Sequence, residues 1–354
     1  MNHSFIMAFT SHLKVMFFIT CFSFTTFFFA LSSFAQDIII YSERQPDLIK
    51  PLITLFEQET GLKSQVQYFN KGMLERLRAE GVNSPADVIL TIDIGNLIAL
   101  KEAGVVTAIR DNAEIEANIP MQYRDAEGEW FGLTMRARLF YASKERVQED
   151  AVDYEDLVDT KWRGRICMRN GQHAYNIALI ASMIAHHGED EAKAWLEGVK
   201  ANLIGKPNGN DRAQAKAIYA GACDIAIGNS YYLGLMKNNE SEPEQKEWFQ
   251  TLKVIFPNQN TRGTHVNISG MALAKYSPHQ ANALRFMEFL SSPKAQSIYA
   301  EQVYEYPLKE GAILSDDVRS FGVLNPDSLD LTQIASWRKR ASELVDEIGL
   351  NYGP

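Results

Sequence analysis

The chain has 354 residues, 46% of them hydrophobic and 22% charged, with a formal net charge of −9. That length suffices for two lobes of ordinary domain size, and the composition is that of a globular chain, excluding a disordered one. Its acidity argues against binding nucleic acid or an anionic membrane surface.

Residues 1–35 stand apart. Val15 to Phe34 is an almost unbroken apolar run dense in Phe, with His12 and Lys14 before it and Ser33-Phe34-Ala35 at its end. A charged start, an apolar middle and a small-x-small site predict a secretory signal peptide cut before Gln36, with Met7 as an alternative start. The competing reading is an uncleaved N-terminal anchor. Cys21 lies inside the run, outside any lipoprotein context, and is lost with the signal. The segment holds one Lys and no Arg, Asp or Glu, so its removal takes the charge from −9 to −10. Beyond it no apolar stretch reaches the roughly 20 residues of a spanning helix, and the exported chain is expected to be soluble.

From Asp37 onward short apolar strands alternate with amphipathic helices. Strands are expected at 38–41, 64–69 and 86–90, with helices at 47–60, 73–80 and 96–103 between and after them. A second series follows Gly132, with strands at 136–141, 164–168 and 224–228 and helices at 175–187, 189–201 and 212–220. The strand-like run 266–273 resumes an apolar core before helices at 278–290 and 293–302, and 331–348 closes the chain as one long helix. Such alternation predicts an α/β fold with mixed, mostly parallel sheets flanked by helices. No linker separates the two series, so the expectation is two lobes joined by crossing strands. Lobe 1 is 36–133 plus 267–309, and lobe 2 is 134–266 plus 310–354. Ligands on such folds sit beyond the carboxyl ends of strands, in the crevice between units. Cys167 and Cys223 fall in two short strands and either bridge, if those strands are neighbours, or stay as buried thiols.

Two loops at strand ends carry the chemistry. Asn229-Ser230-Tyr231-Tyr232 follows the 224–228 strand, with a helix expected from Leu233. Arg169-Asn170-Gly171-Gln172-His173-Ala174-Tyr175 follows the 164–168 strand. Three phenols are thereby expected to converge from one lobe. Fe³⁺ is small, hard and highly charged and favours anionic oxygen over imidazole or thiolate, by extension of the hard–soft argument. Its field supplies the drive to deprotonate phenols whose ordinary pKa is about 10. Three phenolates neutralise the ion, leaving positions for water or a small anion. The same tyrosines also read as core packing or as a stacking platform for an organic ligand.

The runs Ala86-Asp87-Val88, Thr91-Ile92-Asp93-Ile94-Gly95-Asn96-Leu97, Tyr175-Asn176, Gly228-Asn229-Ser230-Tyr231-Tyr232-Leu233 and Arg262-Gly263-Thr264-His265-Val266-Asn267-Ile268-Ser269-Gly270 decide which reading is preferred. Across essentially the whole exported chain they resemble the bacterial ferric-iron-binding periplasmic proteins, which have the type II periplasmic-binding-protein fold. The resemblance implies Tyr175, Tyr231 and Tyr232 as iron ligands. Some relatives carry His-Tyr after the first strand, where this chain has Gln45 and Pro46 within Tyr41-Ser42-Glu43-Arg44-Gln45-Pro46. That departure resembles the branch in which three tyrosines bind iron with a carbonate-like synergistic anion. Arg44 and Arg136 are the expected anion pocket, because a guanidinium fork suits a planar oxyanion; each is alternatively a structural ion-pair partner. Glu43 and Asp93 are candidates for a fourth ligand from lobe 1, though solvation or helix capping is the simpler role. His173 is a candidate neighbour of Tyr175, and His186-His187 reads as a helix-end pair. The resemblance further implies a periplasmic monomer that delivers Fe³⁺ to an inner-membrane ABC permease. Among the exported residues no nucleophile motif, zinc motif or phosphate loop points to an enzyme. A solute-binding protein of the same fold for a polyamine, thiamine-like or phosphonate ligand is the alternative.

Overall fold

A computed structural model describes residues 36–354, which form one compact unit. The expected signal peptide lies outside the described residues. Among the described residues there are ten strands: β1 (Ile38–Ser42), β2 (Ser64–Tyr68), β3 (Val88–Thr91), β4 (Val106–Thr107), β5 (Phe131–Ser143), β6 (Ile166–Cys167), β7 (Ile225–Asn229), β8 (Leu252–Ile255), β9 (Val266–Ala274) and β10 (Tyr306–Pro307). The main path runs β2-β1-β3-β9-β5-β7-β6. Among the described residues no helix is long and apolar enough to cross a membrane.

Pairing is parallel in β1–β2, β1–β3 and β6–β7, where helices carry the chain back across the sheet. The ladders made by β5 and β9 are antiparallel. These two long strands belong to no βαβ unit: they run between the two series, which lowers the parallel share below what alternation alone suggests. Every residue of β5 and β9 is buried, as expected for strands covered on both faces. β5 pairs with β9 as far as Ala137↔Val266 and with β7 from Arg138↔Asn229. β5 therefore changes partner between residues 137 and 138.

Asp87, in the Ala86-Asp87-Val88 run, is fully buried and organises this edge of the fold. Its carboxylate accepts from Ile39 N at 2.7 Å, Ser277 Oγ at 2.6 Å and His279 N at 2.8 Å. The helix expected at 96–103 starts earlier, at Ile94, because Asp93 caps it by accepting from Gly95 N at 2.8 Å. The helix over Pro293–Ile298 widens into a π turn over Tyr299–Val303. Leu203 makes an isolated bridge to Ile166, and β8 was not anticipated. Cys167 and Cys223 form a disulfide with Cα atoms 5.8 Å apart, made possible by the parallel pairing of β6 with β7.

Candidate functional site

Both tyrosine loops end in helices that start at the tyrosines. Ala174–His187 begins one residue before Tyr175, and its cap is His173, whose Nδ1 accepts from Tyr175 N at 3.3 Å. Burial, and then Arg169, depress the His173 pKa to about 4, so the ring is neutral and free to accept. The second helix spans Tyr231–Lys237, two residues earlier than expected, which places Tyr231 and Tyr232 in its first turn. Ser230 fixes that turn: its N donates to Ala137 O at 3.0 Å, and its Oγ accepts from Ala137 N at 3.2 Å.

The three tyrosines are brought together. The hydroxyls of Tyr175 and Tyr231 lie 3.1 Å apart, and the rings of Tyr231 and Tyr232 have centroids 4.2 Å apart. Burial, with Tyr175 and Tyr232 beside it, pushes the Tyr231 phenol well above its ordinary pKa. Burial and Tyr175 push Tyr232 up to about 12. Crowded, desolvated phenols of this kind keep their protons until a cation arrives to replace them.

Guanidinium groups surround Tyr175. The Cζ atoms of Arg136, Arg138 and Arg169 lie 5.5, 5.8 and 5.2 Å from its ring centroid. Arg136 and Arg138 share a face of β5 because side chains alternate along a strand. Arg138 and Arg169 are paired with the fully buried Asp211 at 2.7 and 2.8 Å. Burial opposes ionisation of Asp211, but the two guanidinia outweigh it and hold its pKa below the ordinary value. A cavity of about 10 Å³ beside this cluster is lined by Arg136, Arg138, Tyr175, Asn229, His265 and Asn267.

The expected anion residues meet at Ser269, whose Oγ accepts from Arg44 Nη2 at 2.5 Å and from Arg136 Nη1 at 3.3 Å. Their surroundings differ. Arg44 is buried and donates to both oxygens of Glu305, at 3.2 and 2.9 Å. Burial raises and the two arginines lower the Glu305 pKa, with a net depression, so the carboxylate stays charged. Arg136 donates to Ile92 O and Ser269 Oγ, neither of them charged. Glu43 accepts from Asn96 Nδ2 at 2.7 Å, and burial raises its pKa. Asp93, besides capping its helix, accepts from Asn267 Nδ2 at 2.8 Å and from Arg338. His186 pairs with Asp327 at 2.6 Å and His187 with Glu155 at 2.8 Å.

Asp211, Glu305 and Arg138 were not singled out from sequence. The i, i+2 spacing of Arg136 and Arg138 within one strand was a usable signal; nothing local marks Asp211 or Glu305. Among the described residues no group of three or more His, Cys, Asp or Glu side chains is arranged to hold a metal.

Residues 83–320 match the family model described as bacterial extracellular solute-binding protein. The chain belongs to that family. This solute-binding protein is 38% identical to iron uptake protein A1 of Synechocystis over 316 residues, 89% of the chain and 87% of the relative. The apo ferric ion-binding protein A of Pasteurella haemolytica aligns with a TM-score of 0.85 and 44% identity, covering 90% of this chain and 99% of that one. A Trichodesmium protein solved in complex with iron and citrate aligns with a TM-score of 0.83 and 40% identity, over 88% and 99% of the two chains. The two-lobed α/β fold expected from the strand–helix alternation and from the family resemblance is the fold of these neighbours.

Proposed function

We propose that this protein captures Fe³⁺ with the phenolates of Tyr175, Tyr231 and Tyr232, together with a small synergistic anion such as carbonate, and delivers it to an ABC permease. The observation that carries the reading is the 3.1 Å approach of the Tyr175 and Tyr231 hydroxyls, with Tyr232 packed on Tyr231, from loops that end two different strands. A trivalent ion among three phenols displaces their protons and meets three negative charges. Arg136, which has only uncharged acceptors, is the guanidinium best placed to hold the anion. Arg44 adds its charge from behind Ser269, largely offset by Glu305. The names of the relatives support iron as the cargo.

The two lobes, 36–133 plus 267–309 and 134–266 plus 310–354, close on the ion about the crossing of β5 and β9. The protein works in the periplasm as a monomer, binds without turnover, and takes the energy for import from its membrane partner.

Ferric iron titrated into the purified protein tests this reading. Wild type develops a visible phenolate-to-iron absorption band, and Tyr175→Phe, Tyr231→Phe and Tyr232→Phe each weaken and shift it. A colourless iron-loaded protein, or a triple Phe variant that binds like wild type, rejects the tyrosine centre.

A further inference from the structure

We infer that Asp211 is a positioning residue for the tyrosine cluster: one buried carboxylate sets the two guanidinia against Tyr175 and the backbone leading into Tyr231. The inference rests on the reading of the three phenols as iron ligands.

Asp211 starts the Asp211–Tyr219 helix, which is capped by Asn210, and its side chain is fully shielded from solvent. Its Oδ2 accepts from Arg138 Nη1 at 2.7 Å and from Asn229 N at 2.9 Å. Its Oδ1 accepts from Arg169 Nη1 at 2.8 Å. A single rigid group thus ties together the middle of β5, the loop after β6 and the end of β7. The last two of these segments carry the tyrosines.

The partners extend the tie. Arg138 Nη2 donates to Asn176 Oδ1 at 2.7 Å, beside Tyr175, and Arg138 Nη1 to Asn229 Oδ1 at 3.0 Å, two residues before Tyr231. Asn176 Nδ2 donates back to Arg169 O at 3.1 Å. The Arg138 guanidinium is therefore held through both Nη atoms and that of Arg169 through its one bond to Asp211, and both lie within 6 Å of the Tyr175 ring centroid. Buried ionic groups are costly to desolvate, and an apolar cluster of similar volume would hold the fold as well. Their arrangement around a phenol that must become an anion is what a purely structural role leaves unexplained.

The test uses protein expressed from the full chain, as wild type, Asp211→Asn, Arg169→Lys and the double variant, each titrated with ferric iron against a competing chelator. Asp211→Asn is expected to raise the iron Kd about 10–100-fold and to move the visible band, as loss of an outer hydrogen-bonding partner does at metal sites. Arg169→Lys, which keeps the charge but loses the fork, is expected to act in the same direction. The double variant is expected to cost less than the product of the two single effects, since both act through one contact. A lower Tm with Kd and band position within about twofold of wild type would make Asp211 a fold-stabilising residue only and overturn the inference. Should Asp211→Asn not fold, Arg169→Lys decides alone, and an unchanged Kd and band overturn it. If wild type itself shows no visible ferric band, the iron reading falls first and takes this inference with it.

Discussion

Arg338, on the C-terminal helix Leu331–Glu347, donates to the carboxylate of Asp93, which is fully buried and caps the Ile94–Glu102 helix. Asp93 also accepts from Asn267 on β9, so a single acid joins the C-terminal helix, β9 and the helix that follows β3. The C-terminal helix in turn lies along the helix that carries Tyr175: Gln172 Nε2 donates to Ser342 O at 2.9 Å, and Ser342 Oγ to Gln172 Oε1 at 2.7 Å.

Loss of this contact should loosen the hold of the C-terminal helix on the Ile94–Glu102 helix. Arg338→Ala is expected to destabilise the fold by about 1–3 kcal/mol, because a buried acceptor loses a charged donor. It is also expected to speed the decay of the visible band when iron-loaded protein meets excess chelator. Decay at the wild-type rate in Arg338→Ala would show that the pair has no part in holding the lobes together.

Gly228 leaves no room for a side chain. A Cβ there would overlap the ring of Tyr141, whose hydroxyl donates to Asn229 O at 2.6 Å and so supports the turn into Tyr231. Gly228→Ala is expected to cost about 1–3 kcal/mol by overpacking. Denaturant unfolding measures that cost, and iron titration of the same variant should show weaker binding as the turn shifts. Wild-type values in both measurements would mean that Tyr141 moves aside freely.

Acid should weaken the fold partly through His265. Burial, and then Arg138 and Arg136, lower its pKa to about 3, with Arg262 and His186 adding to the effect. The unfolded chain binds the proton near pH 6.5, the folded chain only near 3. The neutral ring's contribution is therefore complete above about pH 6.5 and falls by about 1.4 kcal/mol per pH unit between those values. His265→Gln should flatten the pH dependence of stability by about one proton in that window. Unfolding curves from pH 4 to 7 read the slope, and parallel slopes for the two proteins contradict the assignment.

The Cys167–Cys223 bond spans 56 residues of sequence. Replacing both cysteines by Ser is expected to lower stability by about 2–4 kcal/mol while leaving the visible iron band in place. Cys167 ends β6 and Cys223 precedes β7, each eight positions before the next tyrosine along the chain, and this separation is what spares the site. A shifted band in the double Ser variant would show that the two ends are coupled.

Much of this molecule is legible along the chain. The β-branched run at β1, the helical spacing after it and the Tyr-Tyr pair following β7 are local signals, carried by periodicity and by the chemistry of residue types. They sufficed to place Tyr175, Tyr231 and Tyr232 at strand ends, and with the family resemblance to name a cargo class. What the chain alone left open was decided by packing between distant segments. The partners of Arg44 and Arg138, Glu305 and Asp211, lie 261 and 73 residues away, so no spacing rule connects them. Whether Cys167 meets Cys223 depended on β6 and β7 being neighbours, a matter of strand order rather than of sequence pattern. Local periodicity fixes which elements form because it acts through adjacent turns and alternate strand positions. Buried charge is settled only when the fold closes, since a carboxylate removed from water takes whichever guanidinium the tertiary structure brings to it.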